Sequence, residues 1–229
     1  MCLITSIFDA LCNVIFGPMA DKYLDNKLIS DRRDLFISLR CNIRSRPVLQ
    51  AMERAPREEF VPSGERRSAH LETALAIGEG QTISQPYMVA LITEALRLQP
   101  TEQVLEAGAG SGYQAAVLAE MVPDGRVIAV ELVRNLTQQA RSILDDLGYK
   151  NIVVENATES LGCSWRGPYD AIVVSAAAPK LPFSLIIQLA VGGRMVLPVG
   201  KRDQQELVCV LRTGEGISLR CWAPVGSFP

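Results

Sequence analysis

Residues 103–113 have the types and spacing of a ligand-binding turn between a strand and a helix. The segment reads QVLEAGAGSGY, so an apolar run ends in Glu106 and three glycines follow at alternate positions. Such a unit brings backbone N–H groups and the positive end of a helix close to a ligand. Tyr113, however, stands where the dinucleotide motif G-x-G-x-x-G needs its third glycine. The turn therefore favours a nucleoside ligand without a pyrophosphate, such as S-adenosylmethionine, over NAD.

A carboxylate at the end of the next apolar run supports the same ligand. Residues 125–131 read as a short buried strand that ends in Glu131. Its distance from Gly108 is close to the offset of about 20 residues at which an acidic strand end meets ribose hydroxyls. The two oxygens of a carboxylate can accept from two vicinal hydroxyls at once. A solvated strand-end charge is the alternative for Glu131 alone, but the two features in register favour an adenosyl site.

The composition limits the classes of protein to which the chain can belong. A length of 229 residues suits one domain with a full hydrophobic core and a short extension. The net charge of −2 provides no basic surface for a nucleic-acid backbone, so we expect no nucleic-acid partner. One histidine and six cysteines without a CxxC pair predict no metal site. Reduced thiols are typical of the cytoplasm, and we expect a cytoplasmic monomer.

The first 30 residues are predicted to form an extension that is separate from the main domain. The apolar residues of segment 2–16 fall at helical spacing, which predicts an amphipathic helix that covers the domain or a partner. Asp9 interrupts this segment, which is too short and too polar to span a membrane. We therefore expect a helical extension at residues 1–30, a catalytic domain at residues 31–229 and no integral membrane association.

From residue 103 onward the pattern alternates between strands and helices. We predict strands at 103–107, 126–131, 151–154, 169–175 and 193–199, helices near 112–121, 134–147 and 182–190, and an earlier helical stretch at 31–53 that breaks before Pro47. The alternation is typical of an α/β, three-layer Rossmann-like fold with a mostly parallel sheet. Two further apolar runs predict an antiparallel hairpin at the C-terminal end. Because ligands of parallel sheets bind beyond the carboxyl ends of the strands, the glycine turn, Glu131 and Ser175–Ala178 should line that edge.

Several segments of this chain form a pattern that a known family shares. They are PREEFVP at Pro56–Pro62, GQTISQPYMVA at Gly80–Ala90, the glycine turn, and Tyr169–Pro179 together with Gly192–Gly200. With them the chain resembles the protein-L-isoaspartate O-methyltransferases from about residue 31 to the C-terminus. The glycine turn marks class I methyltransferases in general, whereas the Gln-Thr-Ile-Ser-Gln-Pro segment is much more specific to this family.

The resemblance implies a Rossmann-like methyltransferase fold and a repair reaction. In that reaction the methyl group of S-adenosylmethionine passes to the free α-carboxylate of an L-isoaspartyl residue in a damaged protein or peptide. Thr82 and Ser84 would lie at the reaction centre, Ser84 would contact that carboxylate, and Gln85 and Ala223 would border the substrate. The residues implied to bind the cofactor are Glu106, Gly108, Gly110, Ser111, Gly112, Glu131 and Thr158.

The residue chemistry agrees with methyl transfer to a carboxylate. A carboxylate has a pKa of about 4, so it is ionised at pH 7 and needs no general base. The protein then has to place one oxygen in line with the methyl carbon and exclude water. Hydroxyl groups such as those of Thr82 and Ser84 can orient a carboxylate. Both residues would also suit capping of the helix predicted to start at Pro86.

Two departures from the family pattern leave other functions open. Thr158 stands where the family usually has an Asp that accepts from the adenine amino group, and a threonine replaces it only weakly. Glu155 or Glu159 could supply that acceptor in a shifted loop. His70 stands where a tyrosine is usual, and we interpret it as a packed or surface residue. One alternative is an enzyme that methylates an aspartate of a dedicated peptide recruited by residues 2–30. The other is a non-catalytic relative that binds carboxylates.

Overall fold

Strands and helices alternate along the chain in a computed structural model that describes residues 26–158, 161–176, 178–201 and 204–225. The strands are β1 (Leu75–Gly78), β2 (Gln81–Ile83), β3 (Gln103–Ala107), β4 (Arg126–Glu131), β5 (Ile152–Asn156), β6 (Tyr169–Val174), β7 (Leu189–Lys201), β8 (Gln204–Thr213) and β9 (Gly216–Val225). The helices are α1 (26–42), α2 (Arg46–Arg54), α3 (Pro86–Leu96), α4 (Tyr113–Met121), α5 (Arg134–Asp146) and α6 (Phe183–Ile186).

The main sheet has the strand order β5-β4-β3-β6-β7-β8-β9. The pairs among β5, β4, β3, β6 and β7 are parallel, whereas β7, β8 and β9 pair antiparallel and include the predicted C-terminal hairpin. The chain continues from β3 to β4 on one side of β3 and later returns to β6 on its other side. Such a switch in strand order opens a crevice at the carboxyl ends of the strands, so β3 marks where a ligand should bind.

Two hydrophobic clusters lie on opposite faces of this sheet. Val104 and Val127 pack with residues of α2 to α5, whereas their neighbours Leu105 and Ile128 pack with α6. Successive side chains of a strand point to opposite faces, so both faces of the parallel strands are buried. This burial explains the nearly continuous apolar runs of β3, β4 and β6. The predicted three-layer α/β architecture is confirmed.

The predicted helix at 182–190 is wrong in its second half. α6 ends at Ile186, and β7 begins at Leu189 rather than near residue 193. Leu189 pairs with Tyr169 at the start of β6, which extends the parallel pairing toward the amino ends of the strands. A short apolar run fits a helix or a strand equally well, and here the pairing partner decides for the strand.

Only some of the predictions for the N-terminal third of the chain can be compared with the structure, which describes this part from residue 26 onward. α2 begins at Arg46 with Pro47 in its first turn, which confirms the predicted break. α1 runs without interruption through residue 30, so the expected division between extension and domain falls within a helix and stays a prediction. The amphipathic helix predicted at residues 2–16 lies outside the described residues. Among the helices that are described, none is long and apolar enough to cross a membrane.

Arg194 of β7 ties the sheet to the end of α3. Its guanidinium donates two hydrogen bonds of 2.6 Å to the carboxylate of Glu102, and further bonds to the carbonyl oxygens of Leu96, Arg97 and Asp170. The side chains of the ion pair are only 15% and 17% exposed. Removing one partner of such a pair leaves the other charge poorly hydrated, so the pair is costly to break.

We expect Arg194→Met to lower the free energy of unfolding by roughly 2–3 kcal/mol, because Glu102 would stay partly buried without its partner. The matched control is Arg40→Met, whose pair with Glu53 is exposed and should contribute less than about 1 kcal/mol. Urea unfolding followed by circular dichroism measures both losses. Equal losses in the two variants would contradict the role assigned to Arg194.

Candidate active site at the carboxyl edge of the sheet

A cavity of about 390 Å³ opens at the carboxyl ends of β3, β4 and β6. This volume falls in the range of pockets that bind small molecules. The glycine turn after β3 forms one side of the cavity, the segment that starts at Glu131 forms another, and Ser175, Ala176 and Ala178 after β6 form a third. The segments expected from the sequence to share one edge therefore meet in one cavity.

Glu131 fixes the relative position of two of these segments. Its Oε2 accepts a hydrogen bond of 2.9 Å from the N–H of Gly110, and its Oε1 accepts one of 2.9 Å from the N–H of Val133. The residue is 8% exposed, which contradicts the alternative of a solvated strand-end charge. Because each carboxylate oxygen has two acceptor sites, one site on each oxygen remains beyond its bond to the described backbone.

The glycine turn is held in place largely by its own amides. The N–H groups of Gly108 and Ala109 both donate to the carbonyl oxygen of Val130, at 2.8 and 3.1 Å, and that of Gly110 donates to Glu131. These amides hold the turn against β4 rather than reach a ligand, which corrects the expectation drawn from the strand–turn–helix pattern. Gly108 has φ +93° and Gly110 has φ +53°, a region that favours glycine, and both line the cavity.

Apolar side chains form the cavity wall beyond Glu131. Leu132 and Val133 contribute from the segment after β4, and Ala157, Leu161 and Leu185 contribute from the segments after β5 and β6. Leu132 is 69% exposed and Leu161 is 43% exposed, so each presents apolar surface to solvent at the mouth of a cleft. Exposed apolar surface in such a place marks a ligand-binding site. A flat group with apolar faces would cover it.

A smaller cavity of about 40 Å³ adjoins the large one, and Thr82 and Ser175 line both. Glu106 lines the smaller cavity and is fully buried. Its Oε1 accepts a hydrogen bond of 3.0 Å from the Ser175 hydroxyl, whereas its Oε2 has no partner among the described residues. Burial is the main cause that raises the pKa of Glu106 to about 8; the Ser175 hydrogen bond lowers this pKa and nearby Glu131 raises it. A buried acceptor without a partner is costly, so this oxygen suits a ligand that carries a donor.

Ser84 lines the smaller cavity, and Arg57 holds the backbone that carries it. The guanidinium of Arg57 donates bonds of 2.7 Å to the carbonyl oxygen of Ser84 and 2.8 Å to that of Ala69. It also lies over the ring of Tyr113, 4.9 Å from the ring centroid. Arg57 is 1% exposed, and burial lowers its pKa. The sequence did not indicate this role for Arg57, although the residue belongs to the PREEFVP segment.

Seven of the predicted site residues line at least one of the two cavities: Thr82, Ser84, Glu106, Gly108, Gly110, Ser111 and Glu131. Gly112 is the N-cap of α4 and lies close to α5, where a Cβ at this position would be 3.2 Å from the Leu144 side chain. Thr158 is exposed and is not among the described residues that line either cavity. Gln85 precedes α3, and Ala223 pairs with Leu207 on the edge strand β9.

Three alternatives from the sequence have an outcome in the structure. α3 has Gln85 at its N-cap and no side-chain cap bond, so the capping role considered for Thr82 and Ser84 is wrong. His70 is buried with its Nε2 3.4 Å from the carboxylate of Glu58, which confirms that it is a packed residue. The carboxylate of Glu155 accepts two bonds from Arg166, at 3.1 and 2.7 Å, away from the cavity wall. Glu159 lies outside the described residues.

The parallel sheet, the glycine turn and the acidic strand ends define a class of protein, the Rossmann-like methyltransferases. A family model described as protein-L-isoaspartate(D-aspartate) O-methyltransferase matches residues 30–223. The chain belongs to this family.

Named relatives agree with this placement. Protein-L-isoaspartate O-methyltransferase 1 of Syntrophobacter fumaroxidans is 51% identical over 202 residues, which cover 88% of this chain and 89% of the relative. The enzyme of Methanothermobacter thermautotrophicus is 47% identical over 190 residues, covering 81% and 88%. A solved protein-L-isoaspartate O-methyltransferase is similar in structure with a TM-score of 0.78 and 27% identity, covering 86% of this chain and 65% of that one. A Plasmodium falciparum structure of the same description, in complex with S-adenosyl-L-homocysteine, has a TM-score of 0.74 over 86% of this chain and 96% of that one; at 23% identity it supports the fold alone.

The raised pKa of Glu106 predicts a stability that depends on pH. Between the ordinary value of 4.5 and the native value of about 8, the unfolded chain releases a proton that the native state keeps. The free energy of unfolding contributed by this group therefore falls as the pH rises from about 4.5 to 8. Glu106→Gln stays neutral, so relative to the wild type it should gain on the order of a few kcal/mol between pH 5 and pH 8.

Urea unfolding of both proteins at pH 5 and at pH 8 measures this gain. Glu215→Gln, at an exposed position in the β8–β9 turn, is the control for removing a surface carboxylate. A difference between Glu106→Gln and the wild type that does not change with pH would show that Glu106 is ionised in the native state at both values.

Proposed function

We propose that this chain transfers the methyl group of S-adenosylmethionine to the free α-carboxylate of L-isoaspartyl residues in damaged proteins or peptides. The observation that carries the proposal is the position of Thr82. Thr82 lines the large cavity and also the smaller cavity that Ser84 and Glu106 line, so the family-specific segment extends from the proposed cofactor cavity to the proposed reaction centre. Membership in the family and the names of its relatives support the same reaction.

The residues of the cavities fit S-adenosylmethionine. The described lining of the two cavities contains the carboxyl groups of Glu106 and Glu131 and no Lys or Arg, which suits a ligand with sulfonium and ammonium groups. The unpartnered Oε2 of Glu106 suits the ammonium group, and the remaining acceptor sites of Glu131 suit two ribose hydroxyls. Exposed Leu132 and Leu161 suit the adenine base. When bound, this cofactor supplies a methyl group that needs no acid to leave its sulfonium.

Glu106 has a second consequence for binding. With a pKa of about 8, its carboxyl group mostly holds a proton at pH 7 when no cation lies beside it. An ammonium group against Oε2 favours the ionised form, so the proton passes to solvent. The Ser175 hydroxyl at 3.0 Å then keeps the carboxylate oriented toward the smaller cavity.

The substrate carboxylate requires orientation rather than activation. It is ionised at pH 7, so no residue has to remove a proton from it. The hydroxyl groups of Ser84 and Thr82 can donate to its oxygens without taking a charge, and the Arg57 bond to the Ser84 carbonyl keeps this backbone in place. Gln85 and Ala223 are proposed to border the peptide. The gain in rate comes from alignment and from the exclusion of water.

The rest of the proposal concerns the partners and the remaining residues. Ser111, Gly112 and Thr158 are proposed to act on the cofactor through the shape and hydrogen bonding of the segments around it. We propose that the protein works as a monomer in the cytoplasm on isoaspartyl proteins or peptides, without nucleic acid. The competing enzymatic function, methylation of an aspartate in a dedicated peptide, involves the same cavities and differs only in the carboxylate that reaches Ser84.

A pair of peptides tests the proposed function. With labelled S-adenosylmethionine, the purified protein should methylate an isoaspartyl peptide and leave the same peptide with normal aspartate unlabelled. Ser84→Ala should lower kcat/KM by about tenfold through the loss of one hydrogen bond to a charged group, with unchanged binding of S-adenosylhomocysteine. Equal labelling of both peptides would favour the dedicated aspartate methyltransferase. Binding of S-adenosylhomocysteine without any labelling would favour the non-catalytic relative.

The ribose contact has its own test. We expect Glu131→Ala to weaken binding of S-adenosylhomocysteine at least roughly tenfold, because bonds to a charged acceptor are lost and the glycine turn loses its tie to Val133. Isothermal titration calorimetry measures the dissociation constant. The control is Glu155→Gln on the adjacent strand, whose partner is Arg166 and which should bind like the wild type. Weaker binding in the control alone would instead make Glu155 the adenine acceptor.

A further inference from the structure

The segment between β5 and β6 supplies Ala157, Leu161 and Gly162 to the wall of the large cavity. If the ribose lies at Glu131 and the reaction centre lies near Thr82, these residues face the adenine base. Thr158, the position of the family's acceptor, is not in the described lining, so apolar contact takes a larger share of base recognition. Contact of this kind falls off steeply with separation, so it depends on where the backbone of the segment is held.

One buried side chain, Gln188, holds this backbone from beneath. Its Nε2 donates hydrogen bonds of 2.8 Å to the carbonyl oxygen of Leu161 and 2.7 Å to that of Ser184. Its Oε1 accepts a bond of 2.9 Å from the N–H of Cys163. The residue is 8% exposed and lies between α6 and β7. A single amide therefore joins α6 to both sides of Gly162.

Gly162 fits closely over this amide. A Cβ at this position would lie 2.6 Å from both Nε2 and Oε1 of Gln188 and 2.7 Å from the side chain of Leu185, closer than such contacts occur. Gly162 also has φ +89°, which favours glycine. The absence of a side chain thus allows the backbone to lie against Gln188 on one side and to face the cavity on the other.

Tyr169 provides a second connection to the same segment. Its buried hydroxyl donates a hydrogen bond of 2.6 Å to the carbonyl oxygen of Cys163, and its own N–H donates to the carbonyl oxygen of Gln188 at 2.9 Å. The two residues that hold the segment are therefore joined to each other at the start of β6. The position of the Leu161–Cys163 backbone is therefore fixed by its hydrogen bonds to Gln188 and Tyr169, which connect it to the main sheet, and not by the loop alone.

We propose that Gln188 is a positioning residue that sets the distance of the Leu161–Gly162 wall from the adenine base, and so controls affinity for the adenosyl part of the cofactor. The proposal rests on the proposed function for the identity of the ligand. Gln188 does not line either cavity, so it acts through the backbone that it holds. It should therefore affect cofactor binding without affecting the reaction of bound substrates.

Gln188→Met tests this role, because methionine has a similar size and makes no comparable hydrogen bonds. We expect the dissociation constant of S-adenosylhomocysteine, measured by calorimetry, to rise about tenfold. The KM for S-adenosylmethionine should rise with it, while kcat and the KM for the isoaspartyl peptide stay within about twofold. The matched control is Gln103→Met, since Gln103 also donates two bonds to carbonyl oxygens, those of Arg166 and Pro168, at the other end of the same segment. The control should bind like the wild type.

Substitutions at Gly162 test the same contact between the Leu161–Gly162 backbone and the Gln188 amide. Gly162→Ala should weaken binding of S-adenosylhomocysteine because its Cβ meets the Gln188 amide and the Leu185 side chain. In the double variant Gly162→Ala with Gln188→Ala the collision with the amide is removed and the contact with Leu185 remains, so the loss should be smaller than the product of the two single losses. Losses that simply multiply would overturn the proposal.

Two further outcomes would also overturn it: equal weakening by Gln188→Met and Gln103→Met, or a lower kcat in Gln188→Met with unchanged cofactor binding. Because binding of S-adenosylhomocysteine needs no peptide, this test of Gln188 can fail or succeed independently of the test of the proposed function. If the wild type binds S-adenosylhomocysteine but does not methylate the isoaspartyl peptide, the proposed substrate is wrong and the role proposed for Gln188 still stands. If the wild type methylates the peptide and Gln188→Met binds S-adenosylhomocysteine as tightly as the wild type, the proposed function stands and the role proposed for Gln188 is wrong.

Discussion

The site depends on the hydrogen bonds that the carboxylate of Glu131 accepts from backbone N–H groups. Glu131 lies buried at the end of β4 and accepts one N–H from Gly110 and one from Val133, so a single side chain joins the glycine turn to the start of α5. Each oxygen of a carboxylate can accept twice. Glu131 can therefore shape the turn and still contact a ligand. Without it, the turn after β3 would keep its bonds to the Val130 carbonyl oxygen but lose its link to the segment after β4.

A second buried carboxyl group, that of Glu106, contributes to the electrostatics of the cavity. Glu106 is fully buried, and the nearby charge of Glu131 adds to the burial that raises the pKa of Glu106. Glu106 mostly holds its proton at pH 7 until a cation lies beside it, and the described lining has no Lys or Arg that would repel a cationic ligand. This arrangement is expensive for the protein alone and becomes favourable when a cationic ligand is bound.

Most of the sheet and the polar half of the site were predictable from the sequence. The limits of β3 and β4 followed from apolar runs bounded by Gly125 and by the glycine turn, and the carboxyl ends of parallel strands necessarily share one edge. The amide directions in the turn were not predictable, because the pattern that favours a ligand also fits bonds to Val130 and Glu131. Arg57 and Gln188 were missed because each acts on a backbone far away in the sequence, which periodicity does not record. The second half of the 182–190 segment was assigned to a helix because short apolar runs do not distinguish a helix from a strand.

The end of the cavity that is proposed to hold the adenine base has a mainly apolar described wall. Thr158 is outside the described wall and Glu155 is engaged by Arg166, so neither supplies an evident acceptor there. The apolar surfaces of Leu132 and Leu161, with the backbone held by Gln188, are what the chain offers instead. Affinity at this end then depends on geometry, which makes the residues that position the wall as important as those that touch the ligand.

A crystal structure of the chain with S-adenosylhomocysteine would show whether Glu131 binds the ribose while it holds the turn. We expect both ribose hydroxyls within hydrogen-bond distance of the Glu131 carboxylate, with its bonds to the N–H groups of Gly110 and Val133 retained. A ribose bound elsewhere, or a Glu131 that releases Gly110 or Val133 when the ligand is bound, would contradict this expectation.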